Sequence, residues 1–236
     1  FGVLINPGDE VLMADPGYPC NRHFVRLFEG RATLVPVGAA TSYQLTAALI
    51  RQHWTPATRA VLISSPSNPT GTLVPDADMA EIVRTVRELG GVLIVDEIYH
   101  GLTYGTPARS ALYYSADVFV VNSFSKYYGM TGWRAGWLVA PLNFVEAIDR
   151  LAQNIFLAAS TPAQHAALAA FRPEVQAELG RRRDEFRVRR DYLLPALRAL
   201  GFHIPVTPEG AFYLYADPSQ LTADSDDFAQ RLLEEA

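Results

Sequence analysis

The chain has little of what several functional classes require. Its 236 residues include one cysteine, Cys20, so no intrachain disulfide can form and a reducing compartment is expected. No apolar run approaches the roughly 20 residues of a membrane-spanning helix, and no secretory pattern opens the sequence, so a cytoplasmic protein with no membrane partner is expected. Positive charge is short as well: the formal net charge is −5, which offers no general attraction for phosphate backbones, and no nucleic-acid partner is expected. The five histidines, His23, His53, His100, His165 and His203, lack metal-ligand spacing, so no metal is expected. There is no internal repeat and no low-complexity tract.

What is present is the composition of a globular protein, 49% hydrophobic and 19% charged. Short β-branched runs alternate with amphipathic stretches through the first two-thirds, the pattern of a parallel sheet covered by helices. Strands are expected at Glu10–Ala14, Ala32–Val37, Ala60–Ser64, Val92–Val95, Val118–Val121 and Gly136–Val139. The continuous apolarity of Val92–Val95 and Val118–Val121 predicts burial on both faces. Between them, Met79, Ile82, Val83, Val86 and Leu89 recur at helical spacing, and Gly90-Gly91 ends that helix. Helical patterns continue over Leu142–Ala170, broken near Ser160-Thr161-Pro162, then over about Pro173–Leu200 and from Phe228 to Ala236. Arg181–Arg190 is basic but interrupted by Asp184 and Glu185, and is expected to form a solvated helix face with local ion pairs. Gly201–Pro205 and Ala211–Tyr215 look like short strands around the turn Pro208-Glu209-Gly210. The expected fold class is therefore α/β, a mostly parallel sheet covered by helices, with part of a smaller α+β domain after it.

Three motifs fall at expected strand ends, where an open α/β sheet presents its ligand crevice. Asp96 follows Val92–Val95 and has Tyr99 close behind. Ser123-Phe124-Ser125-Lys126 follows Val118–Val121, with Arg134 eight residues on. A lysine in a partly desolvated crevice is a competent nucleophile toward an aldehyde, and hydroxyls beside an arginine suit phosphate oxygens. Ser65-Pro66-Ser67-Asn68-Pro69-Thr70-Gly71 follows Ala60–Ser64, and its prolines present Asn68 on a stiff backbone. Singly, each motif fits an ordinary cap, surface lysine or turn. As a set they match a pyridine aldehyde phosphate: an acid for the ring nitrogen, donors for the ring oxygen, and an amine for the aldehyde.

The segments SPSNPTG (Ser65–Gly71), DEIYHGLTYG (Asp96–Gly105) and SFSKYYGMTGWRAGW (Ser123–Trp137) closely resemble the class I/II aminotransferases of the pyridoxal-5′-phosphate-dependent fold type I superfamily. The resemblance runs from NPGDEVLMADPGYP (Asn6–Pro19) to PEGAFYLYAD (Pro208–Asp217). It implies that Lys126 is the Schiff-base lysine and the proton-moving base, and that Asp96 binds the pyridine nitrogen. It also implies that Asn68 and Tyr99 donate to the ring oxygen, that Ser123, Ser125 and Arg134 contact the phosphate, and that Tyr18 stacks on the ring. The implied activity is ping-pong transfer of an amino group between an amino acid and a 2-oxo acid, in a homodimer with interfacial sites.

The implied division is a large cofactor-binding domain over residues 1–186 and an incomplete small domain over 187–236. Similar enzymes carry a glycine-rich phosphate loop before the region matching Phe1 and a carboxylate-gripping arginine beyond that matching Ala236, so both ends are expected to be cut and this polypeptide to be weak or inactive by itself. The alternatives are another reaction of the same cofactor, such as C–S β-elimination, and a non-catalytic effector-binding domain of a transcription regulator.

Overall fold

A computed structural model describes residues 1–105 and 107–235. Six strands form one sheet in the order β2-β1-β3-β4-β5-β6: β1 is Glu10–Asp15, β2 Arg31–Pro36, β3 Thr58–Ser64, β4 Val92–Asp96, β5 Phe119–Ser123 and β6 Gly136–Val139. Neighbours among β1 to β5 run parallel, and β6 lies antiparallel to β5. All six expected strands are present within one to two residues of their expected limits.

Alternation along the strands builds a core on each side of the sheet, because successive side chains point to opposite faces. Leu12, Val35, Val61, Ile63, Leu93, Val95 and Val120 face one side. There they meet α2 (Ala47–His53) and α3 (Asp76–Glu88) through Ile50, Ile82, Val83 and Val86. Val11, Met13, Ala60, Leu62, Ile94 and Phe119 face the other side. They meet α1 (Cys20–Leu27) through Val25 and α4 (Leu142–Ile155) through Phe144 and Ile148. Each fully buried Val, Leu or Ile contributes about 1.5–3 kcal/mol, so the two layers together fix the strand order on which the site depends.

The chain then forms α5 (Thr161–Ala169), α6 (Pro173–Ala199) and α7 (Ser225–Glu235). The break between α4 and α5 lies where Ser160-Thr161-Pro162 placed it, and Pro162 sits in the first turn of α5, where it needs no N–H partner. Arginines of the 181–190 stretch pair along α6 with Glu178, Asp184, Glu185 and Asp191, the solvated face expected, except that Arg190 turns inward, 17% exposed, and donates to Pro208 O. α6 continues unbroken through positions 186 and 187. The helix expected over Phe228–Ala236 is present as α7, which begins three residues earlier; Ala236 itself lies outside the described residues.

One expectation needs correction. Gly201–Pro205 and Ala211–Tyr215 do not form strands; the region makes only isolated bridges, Thr103 with Gly210 and His203 with Asp217. The backbone of this segment is instead spent on loops. Glu209 and Gly210 donate their N–H groups to the Gly71 carbonyl at 3.0 and 2.9 Å, and Ala211 donates to Leu102 O at 2.9 Å. The segment is thereby pinned across the loops that follow β3 and β4.

Candidate active site

The register of the parallel strands brings their carboxyl ends to one level. Ser64 at the end of β3 pairs with Asp96 at the end of β4, and Asp96 with Val121, two residues before the end of β5. Ser65 N–H donates to Asp96 O at 3.1 Å and Glu97 N–H to Val121 O at 2.9 Å, so the loops leave the sheet already tied together. Because β6 returns antiparallel with Gly136 opposite Ser123, Arg134 is carried back beside the residues that precede Lys126.

At this edge lies a cleft of about 390 Å³ lined by Tyr18, Asn68, Asp96, Tyr99, Ser123, Ser125, Lys126 and Arg134, every residue singled out from the sequence. Ser64, Ile98, Thr131 and Tyr213 complete its wall. Its size suits a small-molecule site, and a parallel sheet places such sites outside the carboxyl ends of its strands. A smaller cleft of about 220 Å³ adjoins it and shares Tyr18, Ser64 and Asn68, but it contains neither Lys126 nor Asp96.

The chemistry of the wall differs from end to end. Asp96 Oδ1 accepts the Ile98 N–H at 3.0 Å, and Oδ2 accepts no hydrogen bond among the described residues. Burial pushes the Asp96 pKa up to about 6, against the opposing pull of the Ile98 N–H and the Lys126 charge. Tyr99 is buried, and its phenol lies 2.6 Å from that of Tyr213. Its pKa is raised well above the ordinary phenol value, first by burial, then by the Tyr213 hydrogen bond and by the neighbouring Tyr213 and Asp96, so it remains a proton donor at any working pH.

Toward Lys126 the wall becomes a set of donors. Ser123 Oγ lies 2.9 Å from Ser125 Oγ and 3.1 Å from Ala135 O, and the Thr131 hydroxyl donates to Ser125 O at 2.7 Å. Arg134 adopts a left-handed backbone, φ 53°, and one guanidinium nitrogen donates to Thr131 O at 3.0 Å. Lys126 Nζ lies 5.9 Å from the ring centres of both Tyr99 and Phe212. Among the described residues the side chains of Lys126 and Asn68 make no hydrogen bond or ion pair, which leaves an amine and an amide free in the cleft. Lys126 is also the only lysine in the sequence. No group of three or more His, Cys, Asp or Glu side chains converges among the described residues.

The sequence offers Phe212, Tyr213 and Tyr215 as residues that pack the second domain or line the substrate mouth, and the fold puts Tyr213 in the cleft wall. Tyr213 lies 114 residues beyond its partner Tyr99, and its only local signal was that aromatic cluster, which fits packing or a cleft mouth equally well.

Over residues 1–236 the sequence matches the family profile described as aminotransferase class I and II. The chain is similar to valine–pyruvate aminotransferase of Mycobacterium tuberculosis, 40% identical over 235 residues that make up 99% of this chain and 60% of that protein. Among solved structures it is similar to an aminotransferase from Mycobacterium tuberculosis, with a TM-score of 0.95 and 41% identity over 100% of this chain and 61% of that one. An aspartate aminotransferase from Thermus thermophilus, solved with maleate, gives a TM-score of 0.94 at 32% identity over 99% of this chain and 62% of that one. The chain thus spans about 60% of the length of the curated relative. On its sheet order, its cleft and this match over its whole length, the chain belongs to the aminotransferase class I and II family.

Proposed function

We propose that the protein is a pyridoxal-5′-phosphate-dependent aminotransferase that moves an amino group between an amino acid and a 2-oxo acid. The observation that carries this reading is the convergence on one cleft of a free amine, Lys126, a carboxylate, Asp96, and the hydroxyl and guanidinium donors of Ser123, Ser125 and Arg134. That donor set fits the cofactor's chemistry: an aldehyde needs the amine, a pyridine nitrogen the acid, and a phosphate the charged and neutral donors. The unused Asp96 Oδ2 and the unpaired Asn68 and Lys126 side chains are what a pre-formed site holds ready.

When bound, the cofactor supplies an electron sink that makes the Cα proton of an amino acid removable. Lys126 would supply the amine that holds it and, when that amine is free, the base that moves the proton between the amino acid's Cα and the cofactor's C4′. Asp96, with a pKa of about 6, is mostly ionised at neutral pH and holds the ring nitrogen protonated. Asn68 and Tyr99 donate to the ring oxygen, Tyr18 covers the ring face, and Ser123, Ser125 and Arg134 hold the phosphate. Residues 1–186 form the cofactor-binding body and 187–236 belong to a smaller domain, with α6 as the element common to both. The enzyme is a cytoplasmic homodimer; the acidic charge and single cysteine support the compartment, and family membership supports the dimer.

The test is to load the full-length protein with pyridoxal 5′-phosphate, add an amino acid without an acceptor, and assay the cofactor. Stoichiometric conversion to pyridoxamine 5′-phosphate, lost in Lys126→Ala, is the expected result. Release of a 2-oxo acid with the cofactor recovered unchanged would indicate elimination chemistry and contradict transamination.

A further inference from the structure

We propose that Tyr213 is a positioning residue of the site: its phenol donates to Tyr99 and thereby commits the Tyr99 proton to whatever acceptor occupies the cleft. This rests on the reading above, in which that acceptor is the ring oxygen of the cofactor.

The two phenols lie 2.6 Å apart, within a short hydrogen bond. Each hydroxyl has one proton, so the pair has two arrangements. If Tyr99 donates to Tyr213, the Tyr99 proton is spent and only the Tyr213 proton is left for the cleft. If Tyr213 donates to Tyr99, the Tyr99 proton is free for an acceptor, and the chain of two bonds polarises it into a stronger donor. An anionic acceptor in the cleft selects the second arrangement, and Tyr213 is what makes that arrangement a continuous chain.

The surrounding packing holds both rings to this geometry. Tyr99 is 3% exposed and meets Phe212 and Tyr213 edge to face, with ring centres 5.5 and 5.7 Å away. Tyr213 comes from the segment pinned by the Gly71 and Leu102 carbonyls, and the Tyr104 phenol donates to Ala211 O two residues before it. Ala211 is fully buried, with φ 56°, so the turn that aims Tyr213 is held by its surroundings. Tyr213 also lines the cleft itself.

The experiment is an absorbance titration of the cofactor-loaded protein, comparing wild type, Tyr213→Phe, Tyr99→Phe and the double variant. Phenylalanine keeps the ring and its packing and removes only the hydroxyl. A weaker donor at the ring oxygen leaves more negative charge there, and that charge holds the neighbouring proton on the Lys126 nitrogen more tightly. Tyr213→Phe should therefore move the spectral midpoint upward by roughly 0.2–0.5 on the pH scale, a fraction of one neutral hydrogen bond. The shift should vanish when Tyr99 is already Phe, because the effect passes through Tyr99. An unchanged midpoint in Tyr213→Phe, or an equal shift with and without the Tyr99 hydroxyl, would overturn the proposal while leaving the cofactor assignment intact. Absence of any bound-cofactor band in the wild type would remove that assignment and this inference with it.

Discussion

Asp96 is costly to the cofactor-free fold because burial penalises its charged form. Its pKa rises from 3.8 to about 6, so between those values the folded chain keeps a proton that the unfolded chain has lost. Stability from this group is therefore present at low pH and lost as pH rises through about 6. At neutral pH the penalty is at most about 3 kcal/mol. Asp96→Asn should stabilise the cofactor-free protein relative to wild type by an amount that grows from near zero at pH 4 toward that limit at pH 7.5, while slowing amino transfer because an amide cannot hold a ring nitrogen protonated. Urea unfolding at the two pH values checks it, and an equal difference at both would contradict it. Partly buried His100 titrates in the same window with the opposite sign. Its pKa is lowered to about 4 by burial, so it withdraws stability as pH falls from 6.5. Since both proteins carry His100, the comparison isolates Asp96.

The elements owe their order to the two-faced sheet, and this is why they were legible. Runs such as Val92–Val95 are buried on both sides and read as central strands without any partner being known. The segment around Pro208–Tyr213 was misread because its hydrogen bonds go to loops far away in sequence, which periodicity does not reveal. Its seat depends on glycine. Gly71 has φ 67°, and a Cβ there would lie 2.6 Å from Pro208 Cβ and 2.7 Å from Gly210 O. Gly71→Ala should cost roughly 2–4 kcal/mol through left-handed strain and the displaced segment, read as a lower urea midpoint. A midpoint matching wild type would mean the segment is not held as described. By contrast, the ion pair of Arg189 with Glu185 on α6 sits on exposed side chains, and removing it, as in Glu185→Gln, should change stability by less than about 0.5 kcal/mol.

Across the whole molecule, the site was readable to the extent that its residues sit at strand ends. Asn68, Asp96, Ser123, Ser125 and Lys126 each follow an apolar run, and one cleft collects them because parallel strands in register end at one level. The contact of Tyr213 with Tyr99 was not readable, because only the folded path of residues 201–213 makes it. The central claim is that this cleft seats a pyridine aldehyde phosphate on Lys126. The most direct measurement is to incubate the protein with pyridoxal 5′-phosphate, reduce with borohydride, and map the modified peptide. A single lysine makes the answer unambiguous: the account predicts one reduced adduct per chain on the peptide carrying Lys126, absent from Lys126→Ala. Lack of an adduct, or modification confined to the terminal amine, would contradict it.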